Sequence, residues 1–121
     1  MSEFKYLGKE SSPNDVIDTF SAPNIDIVTF KGEELTAFCP VTSQPDFYQF
    51  AIEYEPDRLC IESKSLKLYI MTFRDKKMFA EALCQEIAQH LYDAISPKRI
   101  TVTLVQQVRG GITLTAKKEI K

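Results

Sequence analysis

Residues 77–115 read KMFAEALCQEIAQHLYDAISPKRITVTLVQQVRGGITLT, and a change of period inside this stretch decides the fold class. Up to Ile95, apolar residues recur every four positions at Phe79, Leu83, Ile87, Leu91 and Ile95. That spacing lines one face of an amphipathic helix over residues 77–95. Ser96-Pro97 ends it, because proline disfavours helical backbone in the residue before it. From Ile100 the period falls to two. Ile100, Val102 and Leu104 alternate with Thr101, Thr103 and Val105, the pattern of a strand. Arg109-Gly110-Gly111 supplies a turn and residues 112–115 return, closing an antiparallel hairpin.

Upstream, Tyr48, Phe50, Ile52 and Tyr54 alternate with Gln49, Ala51 and Glu53 in a second half-buried strand. Glu55-Pro56-Asp57 makes a turn, and Leu59-Cys60-Ile61 a short strand after it. Ile25, Ile27, Val28, Leu35 and Phe38 predict strands around a turn at Lys31-Gly32. Cys39-Pro40 then breaks into a polar loop over residues 41–46. Residues 1–23 are polar and punctuated by proline and serine, an arm with one helical turn starting near Pro13. The remaining residues, 24–121, form a single domain. Strands, then helices, then strands predict an α+β fold, with an antiparallel sheet and two helices on one face. A sheet this small leaves edges open, and such edges are commonly paired with neighbouring copies.

Composition narrows the chemistry. A chain of 121 residues suggests one domain with little room for a second. Fifteen Lys and Arg against seventeen Asp and Glu leave a net charge of −2, which announces neither a nucleic-acid nor a membrane partner. No apolar run approaches the ~18 residues of a membrane span. The first twenty residues lack the pattern of a secretory signal, so the cytoplasm is the expected compartment. Cys39, Cys60, Cys84 and the single His90 cannot supply the four clustered ligands of a structural zinc site, so no metal is expected. With glycine only at positions 8, 32, 110 and 111, neither GxGxxG nor a P-loop exists. Any nucleotide must be held by side chains.

Cys39 is the strongest candidate nucleophile. It ends a strand before proline in a polar loop, and Asp46 lies seven residues on, where it could fold back toward the sulfur. A thiol attacks as thiolate, and a neighbouring carboxyl can shuttle its proton. Spacing alone fits equally a small buried cysteine and an aspartate capping a turn. Cys60, in an apolar strand, and Cys84, in a helix, suit burial. Lys64 and Lys67 stand where a strand passes into a helix, among backbone N–H groups suited to phosphate. A serine-capped helix with a solvated lysine face is the plainer reading. Glu81 falls off the apolar stripe, and His90 lies at its margin.

Taken together, Phe38-Cys39-Pro40-Val41-Thr42-Ser43-Gln44-Pro45-Asp46-Phe47, Glu62-Ser63-Lys64-Ser65-Leu66-Lys67-Leu68-Tyr69, Phe73-Arg74 and Arg109-Gly110-Gly111 closely resemble the short form of the QueF nitrile reductase family. The resemblance implies a tunnelling fold assembled into rings, two stacked pentamers, with active sites between subunits. It implies NADPH-dependent reduction of the nitrile of 7-cyano-7-deazaguanine to the aminomethyl compound, in queuosine (tRNA modification) biosynthesis. Cys39 would add to the nitrile carbon as a thioimidate, with Asp46 protonating nitrogen. Nitrile to amine is a four-electron change, so two NADPH are needed. Glu81, with Glu62 and Ser63, would hold the deazapurine. Lys64, Ser65, Lys67, Arg109 and Gly110 would hold the cofactor.

One position departs from that pattern. The family reads Phe-His-Glu where this chain has Phe79-Ala80-Glu81, so the pocket histidine is an alanine. His90 is nine residues past Glu81, roughly two and a half helical turns, and cannot substitute. Losing general acid–base help costs about 10²–10⁴-fold in rate, so reduced turnover is expected even where capture by Cys39 survives. Two alternatives differ in class. A QueF-like amidinotransferase of archaeosine formation would share the cysteine and aspartate but lack the NADPH signature. A non-catalytic deazapurine-binding ring would bind ligand and be indifferent to Cys39→Ala.

Overall fold

Alternation in the central strand sets the two faces of the sheet. The computed structural model describes residues 15–121, and the helical turn expected near Pro13 lies outside them. Along the chain run β1 (Thr19–Ser21), β2 (Val28–Phe38), β3 (Pro45–Glu55), β4 (Leu59–Ile61), α1 (Ser63–Met71), a 3-10 turn (Thr72–Asp75), α2 (Ala80–Ile95), β5 (Arg99–Arg109) and β6 (Ile112–Ile120). Four strands form one antiparallel sheet in the order β2-β3-β5-β6, and β1 pairs with β4 in a separate ribbon. Tyr48, Ile52 and Tyr54 of β3 point inward beside Leu35 and Ala37 of β2 and Ile100, Val102 and Leu104 of β5. Leu66, Tyr69 and Ile70 of α1 and Leu83, Ile87, Leu91 and Ile95 of α2 close over that same face. The α+β fold with both helices on one face of an antiparallel sheet is therefore as the sequence predicts.

Three local expectations are corrected. No turn forms at Lys31-Gly32, because β2 runs straight through it. The strand absorbs one extra residue as a bulge between Gly32 and Leu35. The Phe50 ring of β3 lies where a side chain on Gly32 would project, so the glycine permits a close crossing rather than a reversal. The long helix starts at Ala80, not Lys77, and Phe79 serves as its N-cap residue. Phe79 consequently stands 54% exposed, off the buried stripe to which its spacing assigned it. The strand expected from Tyr48 begins at Pro45, which takes Asp46 out of the loop and into the sheet.

Both helix ends follow local chemistry. The Glu62 carboxylate caps α1, accepting from the N–H groups of Lys64 and Ser65, each at 2.8 Å. Ser96 stops α2 in a left-handed conformation (φ 44°) ahead of Pro97. Gly110 and Gly111 both have positive φ, 58° and 79°, as a tight hairpin between β5 and β6 requires.

Candidate active site

The loop after β2 wraps around the Cys39 sulfur. The Cys39 N–H donates to the Gln44 carbonyl (2.8 Å) and the Ser43 N–H returns to the Cys39 carbonyl (2.9 Å). Ser43 takes a positive φ of 59° to close this turn. Hydrogen bonds from the Thr42 N–H and hydroxyl, and from the Val41 N–H, hold the thiol below its ordinary range, outweighing burial and the opposing charge of Asp46. Donors aimed at sulfur favour the thiolate. Cys60 and Cys84 are buried free thiols. Burial pushes Cys84 up, and its S–H donates to the Val102 carbonyl at 3.2 Å.

Asp46 is buried on the inner face of β3, and its carboxylate pairs with Arg109 Nε at 3.1 Å. Arg109 also donates to the Pro45 carbonyl. A bulge between Gln106 and Arg109 precedes the hairpin tip, and such an extra residue re-aims a strand end. Arg109, expected at the cofactor, is thus engaged by Asp46, while Gly110 sits at the exposed tip beside it. On the other side, Phe38 is pinned to the segment that leads into α2. Its N–H donates to Lys76, and its carbonyl accepts from Met78 at 3.0 Å. This clasp draws Cys39 toward the first turn of α2, where Glu81 is exposed and Ala80 buried. Cys39, Asp46, Glu81 and Arg109 all act electrostatically on one buried group, the Tyr48 phenol, which is pushed up to about 12, chiefly by burial. The Phe38–Pro45 pairing, the Phe38 clasp and the Arg109–Asp46 pair bring these residues to one end of the sheet.

The α1 residues form a second cluster. A groove of about 1010 Å³ between α1 and the sheet is lined by Ser63, Lys67 and Arg74, and by none of Cys39, Asp46 or Glu81. Ser63, Lys67 and Arg74 follow one helical face into the 3-10 turn, and all three are exposed. Lys64 is exposed as well but does not line the groove. Ser65 is fully buried. Its hydroxyl accepts from the Asp18 N–H (2.9 Å) and donates to the Glu62 carbonyl (2.8 Å). Ser65 and the Glu62 carboxylate, expected at ligands, are thus committed to tying residue 18 to α1 and to capping α1. Residue type does not mark Thr42, Tyr48 or Arg74 as functional in the sequence alone. Asp46 and Tyr48 two apart on one strand face was the available signal for Tyr48.

Fold and site together define an α+β protein with a cysteine whose loop donors hold its thiol below the ordinary range, at the same sheet end as a buried carboxylate. The family model described as QueF-like protein matches residues 45–121. The chain is 40% identical over 124 residues to the NADPH-dependent 7-cyano-7-deazaguanine reductase of Syntrophus aciditrophicus (strain SB), covering 100% of this chain and 89% of that protein. It is 40% identical over 112 residues to the protein of the same name from Halorhodospira halophila (strain DSM 244 / SL1), covering 90% of this chain and 95% of that one. The crystal structure of the archaeosine synthase QueF-Like in the apo form superimposes with a TM-score of 0.75 at 18% identity, over 80% of this chain and 95% of that chain. That likeness concerns the fold. The chain belongs to the QueF family.

Proposed function

We propose that this protein is an NADPH-dependent nitrile reductase that converts 7-cyano-7-deazaguanine to 7-aminomethyl-7-deazaguanine, supplying queuosine formation. One observation carries the reading: Cys39 is held toward thiolate by the Thr42 and Val41 donors with Asp46 buried nearby. The name shared by its curated relatives supports substrate and cofactor. In this reading Asp46 takes the thiol proton of Cys39 as the sulfur bonds to the nitrile carbon, the π electron pair moves to nitrogen, and Asp46 passes that same proton on to nitrogen. Arg109, paired with Asp46, orients that carboxyl. Glu81 accepts hydrogen bonds from the N–H edge of the deazapurine, and a base lacking those donors leaves a carboxylate unpaired, which is penalised.

Ser63, Lys67 and Arg74 on the α1 wall suit the phosphates of a dinucleotide, while the β2 wall opposite carries Lys31 with Glu33 and Glu34. Lys64 adds charge at the same helix start. NADPH, when bound, supplies hydride. Since the groove excludes the Cys39 cluster within one chain, the complete site joins the thiol of one subunit to the α1 groove of another. The open edges of β2 and β6 favour such a ring, here two stacked pentamers. A sedimentation mass of one 13.8 kDa chain would contradict it. No helix among the described residues is long and apolar enough to cross a membrane, and the proposed compartment is the cytoplasm.

Ala80 offers no acid–base group beside Glu81, so proton delivery rests on Asp46 and turnover is slower than in Ala80→His. The test of the reading is the ratio of NADPH oxidised to aminomethyl product formed. Two per nitrile is expected, and nitrile binding without NADPH consumption would favour the non-catalytic ring. The QueF-like fold neighbour keeps amidinotransfer as a second reading. Product formation that needs tRNA and no NADPH would establish it instead.

A further inference from the structure

Two buried side-chain polar atoms among the described residues lack a hydrogen-bond partner, the hydroxyls of Tyr48 and Tyr69. Their surroundings differ. Tyr69 packs its ring on Phe73 and His90, with centroids 5.2 and 4.5 Å away. The charges acting on it, Glu86 and Asp15, lie outside the candidate site. Tyr48 stands on β3 two residues from Asp46, on the same inward face, and is 2% exposed. The Phe38 clasp to Lys76 and Met78 brings Cys39 and the start of α2 to that same place.

A buried hydroxyl left without a partner costs about 1–3 kcal/mol. Phenylalanine would fill the same volume without that cost. Tyr48 shares the inward face of β3 with Asp46, at the end of the sheet where Phe38 pairs with Pro45 and leads into Cys39, and its hydroxyl bonds to none of the charged groups that act on it. It is an unspent donor on the same strand face as Asp46.

We propose that Tyr48 is a substrate-contacting catalytic residue whose hydroxyl donates a hydrogen bond to the nitrile nitrogen as Cys39 attacks. The inference rests on the reductase reading above and assigns it a further residue. The bookkeeping of the step is unchanged. The S–H and one carbon–nitrogen π bond break, the carbon–sulfur bond forms, and the thiol proton reaches nitrogen by way of Asp46. Tyr48 transfers no proton. Its phenol, pushed up to about 12, stays protonated at neutral pH and works only as a donor to the charge growing on nitrogen. Preorganised donors of this kind act mainly on the transition state. Ala80 adds no polar side chain at this point in the cluster, so the Tyr48 donor carries more of the load.

The test compares the full chain with Tyr48→Phe and, as a matched control, Tyr69→Phe. The readout is the rate at which 7-cyano-7-deazaguanine adds to the protein without NADPH, followed by intact mass over a range of nitrile concentrations. Tyr48→Phe should lower the maximal rate by roughly 10²-fold while half-saturation changes little. Its Tm should hold or rise, since an unpaired buried hydroxyl is gone. Tyr69→Phe should react at the parent rate. A Tyr48→Phe rate equal to the parent's overturns the role of Tyr48 and leaves the Cys39 reading standing. No adduct in the parent protein overturns both.

Discussion

At the scale of residues, the reactivity of Cys39 is a property of its loop. Val41 and Thr42 point donors at the sulfur, and Asp46 pushes the other way. The net lowering means that thiolate is present at lower pH than for a free cysteine, so capture of an electrophile rises with pH through a midpoint below the ordinary thiol value. Thr42→Val removes the hydroxyl donor and weakens the anion. Its capture profile should move toward alkaline pH, with a rate at pH 7 about three- to tenfold lower. An unchanged profile would show that the hydroxyl does not set the thiol. Cys39 and Asp46 were legible in the sequence because the residue type is itself the reagent. Their surroundings were not. The Arg109–Asp46 pair joins positions far apart in sequence, and Tyr48 read simply as an apolar-face residue until its hydroxyl was found buried and unpaired.

At the scale of elements, local period carried most of the fold. The four-residue stripe of α2, the alternation of β3 and β5, and the Gly110-Gly111 turn are encoded within a few residues of where they occur. The misplaced turn at Lys31-Gly32 has a non-local cause, since Phe50 on the next strand decides what Gly32 is for. The β1–β4 ribbon was equally hidden, because pairing Phe20 with Cys60 leaves no periodic trace. Ser65 joins these levels. The family resemblance places it at the cofactor, yet its buried hydroxyl accepts from the Asp18 N–H and donates to the Glu62 carbonyl. Ser65→Ala leaves the Asp18 N–H unpaired and should destabilise the protein by about 1–2 kcal/mol, with KM for NADPH unchanged. A raised KM with unaltered unfolding would return Ser65 to the cofactor.

At the scale of the molecule, a single chain presents the thiol cluster and the α1 groove separately. The same chain leaves Phe47 and Phe79 exposed beside Asp46 and Glu81, and Val41 and Ile112 exposed as well. In the proposed ring these side chains would be available to contacts between copies. Composition does not bear on that proposal, because a net charge of −2 is as ordinary for a ring subunit as for a monomer.

The central claim is that Cys39 attacks the nitrile carbon. Its most direct test is intact mass of the protein mixed with 7-cyano-7-deazaguanine in the absence of NADPH, with peptide mapping of the adduct. One equivalent on the peptide containing Cys39, absent from Cys39→Ala, is the expected result. An unmodified protein, or an adduct that persists in Cys39→Ala, would contradict the account.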